Sequence, residues 1–422
     1  MKTRVVVTGL GVCAPNGVGL ETFEESLLTG VSGIRFQKEL KNLNFSCQIA
    51  GNPSIEDVNL NEYFSKIQLK GLDSSGLIYG VIAGLDAWKD AKLATSSEEP
   101  DWNSGIVFGT GILGVDKFRD AIYKVDEGNV RRLGSTVVIQ TMASGISAYL
   151  GGILGMGNQV TTNSSACTTG TESVLMGFER ITSGKAKRML VGSCSDSGPY
   201  VWGGFDTMRI LPAKFNNDPE KASRPMSATA SGFVPGSGAG AMVLESLESA
   251  LERKAPIYAE LLGGAVNSGG QRQGGSMTAA NPEAVQRCIR QALENTSISP
   301  NRLDAINGHL TATSKDADEI ENWSKALHSN RDDFPFTNSF KGHFGHCLAA
   351  AGSIECVGTI LQFRNNKLFG TMNCEDIHPK ILAVVAESRI VNQTIDFKAE
   401  IIAKASFGFG DVNSCVIFRR FY

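Results

Sequence analysis

Residues 159–194, QVTTNSSACTTGTESVLMGFERITSGKAKRMLVGSC, constrain the fold more than any other stretch of the 422-residue chain. QVTTNSSAC reads as an extended approach, TTGTESVLMGFERITSG has the periodicity of a helix, and RMLVGSC (188–194) reads as a buried strand. Together they form a β-α-β unit, which implies an α/β chain with mixed or parallel sheets. Cys167 stands at the strand-to-helix turn, where open α/β sheets place their chemistry. Two readings of it compete. Cysteine is a small hydrophobe that suits a tight turn of Ser, Thr and Gly. A thiol at a helix N-terminus also feels the dipole and free amides, which lower its pKa from about 8.5 and make it a nucleophile.

The alternation continues along the chain. RVVVT (4–8) reads as a strand, residues 74–93 as an amphipathic helix, ATSSEEPDW (94–102) as a surface loop, and GIVFGTG (105–111) as a strand entering a glycine turn. ESLESALERKA (245–255) reads as a charged helix ending at Pro256, which sets an expected boundary between residues 1–255 and 256–422. The second half opens with the strand IYAELLGGAV and a glycine-rich loop (263–275), then the helix PEAVQRCIRQALENT and a strand near LDAINGHL.

Composition excludes several classes. Hydrophobic residues make up 42% and charged residues 20%, an ordinary globular balance, and the net charge of -3 gives no field for nucleic acid. Nine scattered cysteines with no CxxC pair argue against a disulfide framework or structural zinc and for a reducing compartment. The opening MKTRVVVTGLGVCAPNG has the basic residues and apolar run of a secretory signal, but Gly9, Gly11 and Pro15 interrupt it. No apolar run approaches the roughly 18 residues of a membrane span. The expectation is a cytoplasmic protein with no nucleic-acid or membrane partner.

GLGVCA (9–14) matches a loose dinucleotide fingerprint, yet Pro15, Asn16 and Gly17 continue the loop where a helix should open. Of five histidines, His309, His343 and His346 sit in polar or glycine-rich turns, whereas His328 and His378 lie in charged surface contexts. A cysteine and two such histidines suit a Cys-His hydrolase, a zinc site, or a carbon–carbon condensing enzyme that holds an acyl group on Cys and an enolate on the histidines.

The stretches VVVTGLGVCAPNG, NSSACTTGTES, SRPMSATASGFVPGSGAGAMVLE, NGHLTAT, KGHFGHCLAAAGSIE and SFGFGDVNS resemble, in order, the signatures of the β-ketoacyl synthases of the thiolase superfamily. The resemblance spans essentially the whole chain. It implies two fused, similar βα halves in a five-layered αβαβα sandwich, usually a homodimer. It further implies a decarboxylative Claisen condensation of an acyl group on Cys167 with malonyl-acyl carrier protein, in fatty-acid, polyketide or polyene synthesis. No metal or resident cofactor is implied, since the phosphopantetheine arm arrives on the carrier protein.

Carried over by motif, Cys167 resembles the acyl-accepting nucleophile, and His309 and His346 the decarboxylation and condensation pair. Lys341 and Glu355 resemble the groups that support the histidines and would fix their tautomer. Thr311 and Thr313 resemble the threonines that hold the phosphopantetheine arm. Phe407 resembles the mobile aromatic between the acyl and malonyl sites, and Phe409, between Gly408 and Gly410, joins it in substrate binding. The backbone amides of Cys167 and Phe407 are the expected oxyanion donors. His343 has no family role.

The chain departs from the pattern at Leu310, where glycine is usual, at Ser237 in place of an acid, and at Asp411 in place of glycine; one residue is missing between Thr313 and Asp316. Asp411 is expected to bond its own backbone and restrict the gate. Two alternatives stay open: a chain-length-factor-like partner in a heterodimer, which usually lacks the nucleophile, and an enzyme using coenzyme A thioesters. A thiolase would need a second catalytic cysteine, and Cys415 lies in an alternating core strand. An acidic carrier protein would meet a basic face, with Arg131, Arg132, Lys214, Lys221 and Arg224 as candidates.

Overall fold

The large sheet holds two sets of five strands, most of them buried, seen in a computed structural model that describes residues 3–95 and 98–422. The first set is β1 (Val5–Ala14), β2 (Ser104–Thr110), β3 (Val160–Thr161), β4 (Arg188–Ser195) and β5 (Gly238–Ser246). The second is β6 (Ala259–Ser268), β7 (Ala305–Asn307), β8 (Phe336–Asn338), β9 (Ile401–Gly408) and β10 (Val412–Arg420). Their spatial order is β8-β7-β9-β10-β6-β1-β5-β4-β2-β3. Each half therefore repeats one order: its first strand, then its fifth, fourth, second and third. In both halves the first two pairings are antiparallel and the last two parallel. The halves join where Val5–Val7 pairs with Ala259–Leu261.

Every residue of β1, β2 and β5 is buried, as strands covered on both faces require. Helices α1 (Ser75–Asp90) and α2 (Gly145–Leu154) cover the outer face of the first half. Between the halves lie α3 (Thr169–Thr182) and α6 (Ala351–Asn365), and α4 (Pro282–Thr296) with α5 (Asp316–Leu327) covers the far side. Residues of α6 from Ala351 to Phe363 are all buried, the signature of a helix enclosed on every side. The largest core cluster joins α3 and α6 to both sets of strands, through Met242 and Leu244 on one side and Ile402 and Val416 on the other. These are the five layers of the expected αβαβα sandwich.

Local differences from the sequence reading have physical causes. β1 runs to Ala14, straight through GLGVCA, because Gly9 and Gly11 lie under α1: a Cβ there would fall 2.2 and 2.0 Å from the carbonyls of Ala87 and Ala83. These glycines serve helix-on-sheet packing and not a phosphate turn. The expected 245–255 helix shrinks to Leu247–Glu252, since Glu245 belongs to β5, where Arg253 pairs with it at 2.7 Å. Only Val160–Thr161 of the expected extended approach joins the sheet. The 94–102 loop lies partly outside the described residues. Among the described residues, no helix is long and apolar enough to cross a membrane.

Candidate active site

The hydroxyl residues around Cys167 hold its turn together. Thr168 Oγ1 donates to Ser165 O, Thr169 Oγ1 donates to Ala166 O (both 2.7 Å), and the Ser165 amide donates to Thr169 Oγ1 (2.8 Å). They over-determine a turn in which Ala166 sits at φ 49°, a left-handed conformation that a non-glycine residue holds only under such constraint. Just behind it, the first turns of α3 and α6 cross at Gly170 and Gly352. A Cβ on Gly170 would fall 2.4 Å from the Ser353 amide, and one on Gly352 would fall 2.7 Å from the Thr171 amide. This close crossing brings the loop ahead of α6, with His346, against Cys167.

His346 Nε2 lies 3.2 Å from Cys167 Sγ, and its Nδ1 accepts the Leu348 amide at 3.2 Å. An amide on Nδ1 leaves the proton of a neutral ring on Nε2, facing the sulfur. The tautomer of His346 is thus set by a backbone amide, where Lys341 and Glu355 were expected to set it. The rings of His309 and His346 meet edge to face with centroids 5.2 Å apart. Ligating atoms of Cys167, His309 and His346 all fall within 4.8 Å of one another, and His309 Nδ1 is buried without a protein partner.

Two carboxylates invisible to motif reading hold the His309 turn. Glu319 accepts the amides of His309 (2.7 Å) and Leu310 (2.8 Å), while Asp316 accepts those of Thr311 (2.9 Å), Ala312 (3.1 Å) and Met226 (2.8 Å). Both sit in the first turn of α5. Their signal was acids three residues apart at a helix start just after the histidine. They pull Leu310 to φ 25° and Ala312 to φ 63°, so the missing residue and missing glycine are absorbed as strain, with the Leu310 side chain fully buried.

Behind the histidines, Lys341 and Glu355 form a fully buried ion pair, as the sequence reading placed them. Burial, then the charge of Lys341, holds both imidazoles well below the usual histidine range. Burial also pushes the Cys167 thiol up to about 11, against the pull of the Phe409 amide and of Lys341. Desolvation outweighs the helix terminus, so the resting group is a thiol, contrary to the lowered pKa expected at sequence level.

That amide corrects another expectation. The backbone N–H bonded to Cys167 Sγ is that of Phe409 and not of Phe407. Phe407 is fixed in β9 opposite Asn413, with its ring 6.4 Å from His309. Phe409 lies outside the ladder, in the turn joining β9 to β10, with its ring 6.1 Å from Phe205. Of the two aromatics, only Phe409 lies outside the β9–β10 ladder. Asp411 does not bond its own backbone: its carboxylate accepts the amides of Asn281 (2.8 Å) and Gln271 (3.0 Å), tying that turn to the glycine-rich loop.

A cavity of about 860 Å³ opens onto Cys167, His309 and His346. Thr311 and Thr313 line it, with their hydroxyls 3.1 Å apart, and its apolar wall includes Ile112, Phe205 and Ile210. Ser237 is buried and donates to Asn52 Oδ1 at 2.9 Å, a purely structural tie. His343 is buried, its pKa pushed down to about 4 by burial, and its carbonyl accepts the Gly33 amide. Cys415 is core in β10. Arg224 is taken up by Glu375 and Asp376 at 3.1 and 3.0 Å, whereas Arg131, Arg132, Lys214 and Lys221 are exposed.

Comparison with known proteins follows the same lines. Residues 2–250 match the family model of the beta-ketoacyl synthase N-terminal domain, and residues 258–375 that of the C-terminal domain. The chain is 32% identical to the chloroplastic 3-oxoacyl-[acyl-carrier-protein] synthase I of Arabidopsis thaliana, over 100% of this chain and 87% of that one. It is 31% identical to 3-oxoacyl-[acyl-carrier-protein] synthase 2 of Vibrio harveyi, over 99% of each. Among solved structures, a beta-ketoacyl synthase from Burkholderia phymatum superposes with a TM-score of 0.89 at 26% identity, covering 100% of both chains. A ketosynthase bound to a type II polyketide acyl-carrier protein superposes with a TM-score of 0.87, also at 26% identity and 100% coverage of both.

Proposed function

The chain belongs to the β-ketoacyl synthase family, and we propose that it condenses an acyl group held on Cys167 with malonyl-acyl carrier protein, giving 3-oxoacyl-carrier protein and CO2. The observation that carries this reading is the contact of Cys167 Sγ with His346 Nε2 at 3.2 Å, beside the edge of His309. In the first half-reaction the sulfur attacks the thioester of the acyl donor, and its proton leaves with the departing pantetheine thiol. The amides of Cys167 and Phe409 receive the oxyanion. In the second, the malonyl thioester loses CO2, and its enolate oxygen accepts hydrogen bonds from neutral His309 and His346. The enolate carbon then attacks the acyl carbonyl, the C–S bond to Cys167 breaks, and the thiolate takes a proton from water to return to the resting thiol. Thr311 and Thr313 would hold the arm of the carrier protein, which brings the phosphopantetheine; no resident cofactor or metal enters this reading.

The chain would act in the cytoplasm as a dimer, with itself or with a related chain, and its halves would divide near Pro256. The open edge at β3 and the exposed Phe118, Ile122 and Val138 support a partner chain. Exposed Arg131, Arg132, Lys214 and Lys221 are candidates to meet an acidic carrier protein. The presence of Cys167 favours an enzyme over a non-catalytic partner. Intact mass spectrometry after offering acyl-carrier proteins tests the proposal: a mass increment on Cys167, and a condensed product once malonyl-carrier protein is added, are expected. An unmodified Cys167 across all donors would sink it.

A further inference from the structure

Lys404 lies in β9 beside Asn307 of β7, two residues before His309, and its side chain is fully buried. Its Nζ is 2.9 Å from Glu355 Oε2, an ion pair whose angle is not that of a directed hydrogen bond. The other oxygen of the same carboxylate holds Lys341. Two buried lysine side chains thus share one carboxylate. Lys404 also donates to the Ala405 carbonyl and, at 3.2 Å, to Ser406 Oγ, which meets Thr171 Oγ1 of α3 at 2.8 Å. It therefore connects the helix carrying Glu355, the strand leading to Phe407 and Phe409, and the helix that follows the Cys167 turn.

The groups around this cluster do not balance the second ammonium. Glu319, facing it from α5, is pushed up to about 7 by burial, so near neutrality it carries only part of a charge. The thiols of Cys356 on α6 and Cys415 on β10 are pushed up to about 12 by burial and stay neutral. Cys347 is raised in the same way, and Cys167 is a thiol at rest. His309 and His346 are the titratable groups on which both lysines act. A positive charge nearby disfavours a second one on an imidazole.

We propose that Lys404 is a positioning residue of this site: with Lys341 it leaves the buried cluster one positive charge in excess of Glu355, and that excess holds His309 and His346 as neutral N–H donors. The inference rests on the reading of those histidines as enolate donors. It gives the two buried lysines separate tasks, one pairing the carboxylate and the other biasing the rings.

Replacing Lys404 with Met keeps an unbranched side chain one atom shorter and leaves Glu355 paired with Lys341. In Lys404→Met, the pH at which the His309 and His346 ring signals titrate by NMR should rise by about one unit or more. The acid limb of malonyl-carrier protein decarboxylation should move up with it. The double variant Lys404→Met/Glu355→Gln again leaves one uncompensated ammonium, on Lys341, and should bring the ring titration back toward the parent value. A merely structural lysine would not be rescued by removing a second charge. Unchanged ring titration in the folded single variant overturns the proposal. If that variant does not fold, the parent decides: 15Nζ signals must show both buried lysines as ammonium at neutral pH, and a neutral amine at either overturns it. Failure of Cys167 to load in the parent would count against the proposed reaction instead and leave the ring titrations to judge Lys404.

Discussion

In the first half of the molecule, the turn after β3 delivers Cys167 to the start of α3; in the second, the turn after β8 delivers His346 to the start of α6. The strand order is the same on both sides, but the connections differ. The first half joins β4 to β5 through residues 196–237, which supply Phe205, Ile210 and Phe233 to the cavity wall. The second joins β9 to β10 by a tight turn at residues 409–411, which sets the Phe409 amide on the sulfur. One half thus contributes Cys167, the proposed nucleophile, and much of the apolar wall. The other contributes the histidines, the buried charges and the gate. A repeated fold fixes where loops meet, and loop length and composition decide what they do there.

The sharpest way to break that division is Cys167→Ala. Covalent loading, read by intact mass, should vanish, because no other thiol opens onto the cavity. Release of labelled CO2 from malonyl-carrier protein should persist, since both histidines and their supports lie in the second half. Loss of both activities together would show that the halves do not divide the reaction.

The converse is His309→Ala. It removes one enolate donor and leaves the Cys167 turn intact, so loading should continue while decarboxylation falls by roughly 10²–10³, the scale of one oxyanion donor. Loading that fails while CO2 release survives would make His309 the base for Cys167 and restore the hydrolase-like reading.

A smaller effect tests what holds the His309 turn. Burial raises the Glu319 carboxyl from 4.5 to about 7. The folded state therefore favours the protonated acid, and this contribution is complete below pH 4.5 and lost as pH rises through 7. The difference amounts to about 3 kcal/mol. Glu319→Gln cannot titrate, and it loses one of two amide acceptors, costing about 1–3 kcal/mol. Urea unfolding should show the parent clearly more stable than Glu319→Gln at pH 5, with the gap narrowing by pH 8. A gap independent of pH would mean that Glu319 titrates normally.

How far the sequence reached follows the same line between fold and loops. Strands such as RMLVGSC and helices such as PEAVQRCIRQALENT were legible because burial on both faces, or on one stripe, leaves a periodic trace. Cys167, His309, His346, Lys341 and Glu355 were legible through local motifs, and the structure brings them into one site. Asp316 and Glu319 were not, since their role depends on which amides α5 faces after folding. Lys404 was hidden for a similar reason: in IIAKASFG a lone lysine in a strand gives no hint that Glu355, 49 positions earlier, lies against it. The choice of Phe409 over Phe407 depended on which residue leaves the ladder, a boundary of one or two positions that propensity does not resolve.

Asp411→Asn probes the finest of these differences, the tie between the gate turn and the glycine-rich loop. Asp411 sits at φ 62°, a conformation that asparagine also tolerates, so the substitution leaves the backbone preference nearly unchanged. What changes is the acceptor count. The carboxylate takes the Asn281 amide on one oxygen and the Gln271 amide on the other; an amide side chain takes one and turns an N–H toward the second. The loop should lose about 1–2 kcal/mol of local stability. Amide exchange across residues 269–281 should then quicken by roughly tenfold, since 1.4 kcal/mol is a factor of ten in the opening equilibrium. The Gly410 amide still donates to Met277 O at 2.8 Å, so the turn stays attached and the global melting transition should move little. With the turn looser, the Phe409 ring clears the sulfur more often, and acyl loading of Cys167 should speed up modestly relative to malonyl turnover. Faster exchange without any change in loading would leave Asp411 as a loop tether and place the resistance of the gate in the packing of Phe409 on Phe205. Unchanged exchange would mean that the backbone bonds of Gly410 to Met277 and of Gly269 to Asp411 hold the loop.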